Sequence, residues 1–288
     1  MPSPVNSSEE LRLIGELIHA GQELFAKGCF DEARFVFEQI LEHSPAHPDA
    51  LMSLGKLYRE LGLFKEAEGA HRQLVEAYPD NAGYWYDLGN SLRDQGERTE
   101  ALKMFEQVLQ LDPQDTCAQH LVDVLKGNNP ATPPDAYVLK LFDPYADRFD
   151  QHLAHKLGYD APEKLATLVR RIIDTGDQFE NALDLGCGTG LSGLAFRALT
   201  KHLTGIDLSQ SMLARAKTKG VYDRLEQTSL LEYLKSTSET FDLFIATDVF
   251  IYVGELDTLF EQMRKRSRSS TLFVFSTESV EGPDYEAL

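Results

Sequence analysis

The chain has 288 residues, 42% of them hydrophobic and 26% charged, with a formal net charge of −18 and a pI near 4.8. That length predicts two domains. The acid excess argues against nucleic acid and anionic membrane as main partners, because both need a basic face. Cys29, Cys117 and Cys187 are too few and too scattered for a disulfide framework or a zinc site, so no metal is expected. Residues 1–10 carry no basic, apolar leader, and no apolar run approaches the ~20 residues that span a bilayer. A cytoplasmic protein is expected, in a reducing compartment.

Residues 11–113 repeat with a period of 34. Pro45, Pro79 and Pro113 set the period. Ala33, Ala67 and Ala101 keep it, as do Gly21, Gly55 and Gly89. Leu17, Leu51 and Trp85 share one position, and Ala20, Leu54 and Leu88 another. Phe37 and Phe105 correspond, with His71 in the middle unit. Each unit reads as two amphipathic helices, in the first about Leu11–Ala26 and Asp31–His43. Gly28, Gly62 and Gly96 can take the left-handed stop after the first helix of each pair. The small residues let two helices pack closely, and proline ends the second helix. This pattern resembles the tetratricopeptide repeat. A single unit cannot bury its apolar face, so neighbours must stack. A stretch at Thr116–Lys126 is expected to cap the array, giving a repeat domain over residues 11–126. The resemblance implies a groove that binds a protein or peptide. A mere spacer or dimerisation element is the alternative.

Gly127–Pro134 holds three prolines and reads as a stiff linker. Residues 135–288 then alternate. A helical lead-in is expected over Ala136–His155 and a helix over Pro162–Thr175. Strands are expected near Ala182–Asp184, Leu203–Asp207, Arg224–Thr228, Leu243–Thr247 and Thr271–Ser276. Helices lie between some of them, near Leu191–Leu199, Met212–Lys219 and Leu256–Arg266. This alternation predicts an α/β domain with a parallel, doubly wound sheet.

Leu183–Gly193 reads Leu-Asp-Leu-Gly-Cys-Gly-Thr-Gly-Leu-Ser-Gly. Glycines at 186, 188 and 190 follow an apolar strand, and glycine lets backbone approach a ligand. Gly188–Gly193 also fits the dinucleotide pattern G-x-G-x-x-G. Asp184 argues against that reading, since a carboxylate beside the loop would repel a pyrophosphate. Asp207 ends the next strand, where a carboxylate can accept from ribose hydroxyls. Helix capping is the other reading of Asp207, with Ser209 competing for that role.

At these residues the chain resembles the class I S-adenosylmethionine-dependent methyltransferases, whose pattern Asp-x-Gly-x-Gly-x-Gly is met by Asp184, Gly186, Gly188 and Gly190. It is similar, more closely, to a bacterial group of predicted methyltransferases with N-terminal tetratricopeptide repeats. Leu141–Leu153 is similar to that group's lid, and Asp242–Gly254 to its fourth strand and following loop. The resemblance implies S-adenosylmethionine as cofactor and a Rossmann-like fold. It implies Gly186, Cys187, Gly188 and Gly190 under the methionine moiety, with Asp184 orienting the amino-acid end through the loop or water. It implies Asp207 on the ribose, Leu208 and Met212 near adenine, and Thr247 near the reactive methyl. Ser229 and Leu230 stand where the third strand ends. The family usually has an acidic residue there, so adenine would be held more weakly by the Ser229 hydroxyl. Tyr145 and Phe149 of the lid could close over the cofactor. Asp248 and Tyr252 are the candidate catalytic residues, and His152 and His155 weaker ones. Cys187 contributes backbone rather than a nucleophile.

A complete fold of this kind has seven strands, and about 12 residues follow Ser276. The last two strands are therefore expected to be missing, the domain C-terminally incomplete, and the fifth strand an edge prone to self-association. The main reading is methyl transfer to an unidentified acceptor, with the repeats recruiting a protein partner or substrate. The second is a non-catalytic interaction module fused to a degenerate cofactor-binding domain. A nucleotide-dependent oxidoreductase comes third.

Overall fold

The computed structural model describes residues 7–128, 133–146, 149–152, 159–174, 176–254 and 256–277. The chain divides into two compact units, Met1–Asn129 and Pro130–Leu288.

The first unit is helical. Its helices are α1 (Ser7–Ala26), α2 (Phe30–His43), α3 (Pro48–Glu60), α4 (Phe64–Ala77), α5 (Ala82–Asp94), α6 (Arg98–Leu111) and α7 (Thr116–Leu125). Each lies within a few residues of a repeat helix or the capping stretch. Gly28, Gly62 and Gly96 take φ of 78°, 73° and 80° between the helices of each pair, a region open to glycine at no steric cost. Asp115 caps α7, its Oδ1 accepting from the N–H groups of Cys117 and Ala118.

The 34-residue period becomes a repeated contact. A Cβ added at Gly21 would sit 2.5 Å from the Phe37 ring, and one at Gly89 would sit 2.8 Å from Phe105. In the middle unit Gly55 faces His71, where a Cβ would meet Nε2 at 2.1 Å. Glycine on the first helix thus admits a flat ring from the second. Phe37 and Phe105 fill that place with apolar rings, fully buried. His71 is also buried and needs a partner. Its Nδ1 lies 2.9 Å from the Ser91 hydroxyl on α5, and its Nε2 has no partner.

The second unit begins with helical pieces, α8 (Asp135–Phe142), a 3-10 turn (Asp143–Tyr145) and α9 (Phe149–His152). The helical lead-in expected here is found as these pieces. Pro144 has no N–H to donate, and the Ser209 hydroxyl binds the Asp143 carboxylate. α10 (Ala161–Ile172) precedes the first strand with Pro162 in its first turn.

The strands are β1 (Phe179–Leu185), β2 (Thr200–Asp207), β3 (Arg224–Gln227), β4 (Phe241–Ala246) and β5 (Ser267–Phe275). They form one parallel sheet in the order β3-β2-β1-β4-β5. Crossover helices are α11 (Leu191–Phe196), α12 (Gln210–Lys219), α13 (Leu230–Ser236) and α14 (Leu256–Lys265). The sequence reading left out α13. Its signal is Ser229-Leu-Leu-Glu232, a capping-box pattern, and the Ser229 Oγ accepts from the Glu232 N–H at 3.3 Å.

Successive strand residues point to opposite faces, and both faces are buried. Ala182, Leu203, Leu243 and Ile245 pack with α10 and α11. Leu183, Ile206, Phe241 and Phe244 pack with α13 and α14. Burial on both sides explains strands that read as apolar runs rather than strict alternation. The strand order reverses between β1 and β4, which opens a crevice at the carboxyl ends of those two strands. Among the described strands β5 is an edge, with Phe275 43% exposed.

Burial and the nearby Arg59 and Lys56 push the His71 pKa down from 6.5 to about 4. The unfolded chain takes a proton that the folded one refuses, so this site's contribution is intact above about pH 6.5 and is lost as pH falls toward 4. The loss should reach roughly 3 kcal/mol in the repeat unit. Thermal melts of the wild type and of a His71→Phe, Ser91→Ala double variant between these pH values should show the acid slope only in the wild type.

Candidate functional site

The turn after β1 is laced to the end of β2. The Cys187 N–H donates to the Ile206 carbonyl at 2.9 Å, and the Gly190 N–H returns to the Cys187 carbonyl at 2.8 Å. The Gly188 N–H donates to Asp207 Oδ2 at 2.9 Å. Asp207 Oδ1 accepts from the Ser209 N–H at 2.8 Å. Gly186, Gly188 and Gly190 all take positive φ, at 65°, 52° and 92°. The three do different work. A Cβ at Gly186 would lie 2.8 Å from Val249, and one at Gly190 would press on Tyr222 and Ala216. At Gly188 nothing lies within 4 Å, so this glycine serves backbone shape.

A cavity of about 530 Å³ opens over this turn at the carboxyl ends of the strands. Of the residues expected from sequence, Gly186, Cys187, Gly188, Asp207, Leu208, Met212, Ser229, Leu230, Thr247, Asp248 and Tyr252 line it. Phe149 does too, and α8 contributes Val138 and Phe142. Phe142 packs edge-on to Tyr252 at 5.0 Å and to Phe149 at 6.2 Å. The volume is of the size that holds a nucleoside-sized ligand.

Asp184 and Gly190 are not among the lining residues. Asp184 is fully buried under the turn, where the Tyr222 hydroxyl donates to its Oδ2 at 2.6 Å. That phenolic oxygen accepts in turn from the Gly193 N–H at 3.0 Å. Asp184 Oδ1 has no partner. Burial first, with the Asp207 charge adding to it, lifts the Asp184 pKa to about 7, although the Tyr222 bond opposes the rise. Tyr222 holds Asp184 beneath the turn rather than at the cavity wall. The side chains of Tyr145 and His152, and all of His155, lie outside the described residues.

Asp207 is not a helix cap. That task falls to Ser209, whose Oγ accepts from the Met212 N–H at 3.0 Å. The Asp207 carboxyl is pushed upward by burial, partly offset by its bonds to the Ser209 and Gly188 N–H groups. Ser229 caps α13 with its hydroxyl while lining the cavity. The Cys187 thiol is buried and pushed well above its ordinary range, chiefly by desolvation, consistent with a backbone role.

Sequence reasoning missed two groups. The first fastens the lid. Lys219 donates to Asp150 Oδ2 and to the Thr189 carbonyl, both at 2.6 Å, and the Thr189 hydroxyl binds the same Asp150. The second is Tyr159, which lines the cavity together with Asp248. Its phenol is raised by burial and by that carboxylate, so it stays protonated. Asp248 has φ of 55°, the one positive value at a non-glycine among the described residues. Its N–H donates to Ser276 Oγ at 2.7 Å, and that hydroxyl also binds its carboxylate.

Residues 182–269 match the family model described as a methyltransferase domain, and residues 24–89 and 82–115 match models of the tetratricopeptide repeat. Human methyltransferase-like protein 27 is 36% identical over 112 residues, covering 38% of this chain and 45% of that protein. The malonyl-[acyl-carrier protein] O-methyltransferase of Bacillus anthracis is 31% identical over 142 residues, covering 47% of this chain and 48% of that protein. The chain thus spans about half the length of the curated relatives it matches. A solved S-adenosylmethionine-dependent methyltransferase from Clostridium acetobutylicum aligns at 21% identity over 46% of this chain and 56% of that one, with a TM-score of 0.39.

Tyr222→Phe strips Asp184 of its hydrogen-bonded partner and should lower the stability of this unit by about 2 kcal/mol. The folded state holds a proton on Asp184 from about pH 4 to about 7 that the unfolded chain releases, so this site favours folding less as pH rises through that window. Calorimetric melting of Asp184→Asn should lack that decline and give its largest gain over wild type above pH 7.

Proposed function

From a chain that joins tetratricopeptide repeats to a methyltransferase domain, we propose that the second unit binds S-adenosylmethionine and transfers its methyl group to an acceptor, while the repeats hold a protein partner or substrate. The observation that carries this reading is the joint placement of Gly186, Gly188 and Asp207 on one cavity wall at the point where the strand order reverses.

The residues present suit such a cofactor. Asp207 has both oxygens fixed by backbone N–H groups, and each oxygen keeps a further lone pair for a ribose hydroxyl. Leu208, Met212, Leu230 and Leu231 offer apolar wall for an adenine ring. Ser229 offers a hydroxyl at its edge, the weaker partner expected from sequence. The open space beside Gly188 suits the amino-acid end. S-adenosylmethionine when bound supplies an electrophilic methyl on sulfonium. This chain's task is then to bind, orient and exclude water. Phe142, Phe149 and Tyr252 form the apolar cover, and the Asp150–Lys219 pair holds that cover closed. The malonyl acceptor named for the Bacillus anthracis protein belongs to that protein.

The alternative of a non-catalytic cofactor-binding module keeps the same first step. Isothermal titration should give saturable binding of S-adenosylmethionine. Asp207→Ala should weaken it at least about tenfold, the value of one charge-assisted hydrogen bond. NAD should give no heat above dilution. An unchanged affinity in the variant, or no binding in the wild type, would remove the cofactor reading.

A further inference from the structure

Asp248 is held in an uncommon way. Left-handed backbone is strained for a residue with a Cβ, and such outliers gather where a site needs them. Asp and Asn tolerate it best. Ser276, just beyond β5, holds this conformation from one side through both the N–H and the carboxylate of Asp248. One hydroxyl therefore fixes both the backbone and the carboxylate of Asp248 on the cavity wall. A carboxylate offers about four lone-pair sites, so others remain for a further donor.

The surroundings set the chemistry of that donor. Thr247 and Asp248 follow β4, across the strand-order reversal from the turn and from Asp207. The wall beside Asp248 is apolar and aromatic, from Ile251, Tyr252 and Val253. The ionisable side chains among the described lining residues are acids and phenols: Asp135, Asp207 and Asp248, with Tyr159 and Tyr252, besides the thiol of Cys187. A carboxylate or phosphate brought to Asp248 would set like charges together in a poorly hydrated place. An N–H or O–H group finds a ready acceptor.

We propose that Asp248, positioned by Ser276, recognises the methyl acceptor, and that the acceptor is a nitrogen or oxygen nucleophile bearing its own N–H or O–H on an apolar body, not a carboxylate. This rests on the methyltransferase reading and names its substrate class. Asp248 is the contacting residue, and Ser276 a positioning residue that acts through it.

The test uses the full chain and three probes of one shape: benzylamine, benzyl alcohol and benzoate. Each is titrated by ligand-observed NMR in the presence of saturating S-adenosylhomocysteine, and S-adenosylmethionine affinity is measured on the same samples by calorimetry. Benzylamine or benzyl alcohol should bind at least about tenfold more tightly than benzoate, as expected for a hydrogen bond to a charged group. Asp248→Asn keeps a side chain that suits the backbone conformation and should erase benzylamine's preference while leaving S-adenosylmethionine affinity within about twofold. Ser276→Ala should weaken that preference partly, again without moving cofactor affinity. Benzoate binding as tightly as the other two, an Asp248→Asn variant with unaltered probe preference, or no binding of any probe at about 10 mM would overturn the proposal. Absent S-adenosylmethionine binding would instead strike the reading beneath it, so the two failures are separable.

Discussion

The second unit is organised around one buried phenol. Tyr222 lies where Gly190, Gly193 and Gly205 leave no room for a Cβ; one added at Gly193 would sit 2.4 Å from its ring. Its hydroxyl ties the turn's helix to the first strand, accepting from the Gly193 N–H and donating to Asp184. The cavity floor is therefore set from below. Three neighbouring backbone segments can close on one another because a single aromatic ring fills the space between them. Packing at near-crystalline density leaves such a ring few alternatives. What faces a ligand, Gly186 to Gly188 and Asp207, is the upper surface of that arrangement.

This changes how the glycine-rich run is to be understood. Four glycines within eight residues invite the thought that each makes way for a ligand. Gly190 and Gly193 make way for Tyr222, Gly186 for Val249, and Gly188 alone leaves open space. Spacing told where a turn would stand and which strand would precede it. It could not tell which neighbour each missing side chain would admit, because those neighbours come from distant sequence. Tyr222 sits after Gly220 in a short connection that no pattern marks. The Asp184 carboxyl was legible as a motif position, but its orientation depends on that unmarked phenol.

The same division runs through the rest of the chain. The repeat helices were readable almost residue by residue, since their period, left-handed glycines and terminal prolines are all local signals. The five strands were readable because a doubly covered sheet demands apolar runs. α13 escapes the strand–helix pattern although Ser229 and Glu232 form a cap, and Ser229 lines the cavity as well. The lead-in is legible as helical, and through His152 the structure gives it as α8, a 3-10 turn and α9. Tyr159 gave no sign at all. Asp248, with which it lines the cavity, lies 89 positions away in sequence, and only the fold joins them.

One substitution in the repeats bears on assembly of the array itself. Units that differ only in apolar detail could exchange with a unit of another molecule in more than one register. His71 breaks that equivalence. It meets the Ser91 hydroxyl of the following unit, whereas the corresponding rings of the neighbouring units are phenylalanines and need no polar mate. A mismatched exchange would leave an imidazole facing a hydrocarbon wall and a serine facing a benzene ring, each a desolvated dipole with nothing to bind. A single polar pair between adjacent modules thus disfavours exchange out of register.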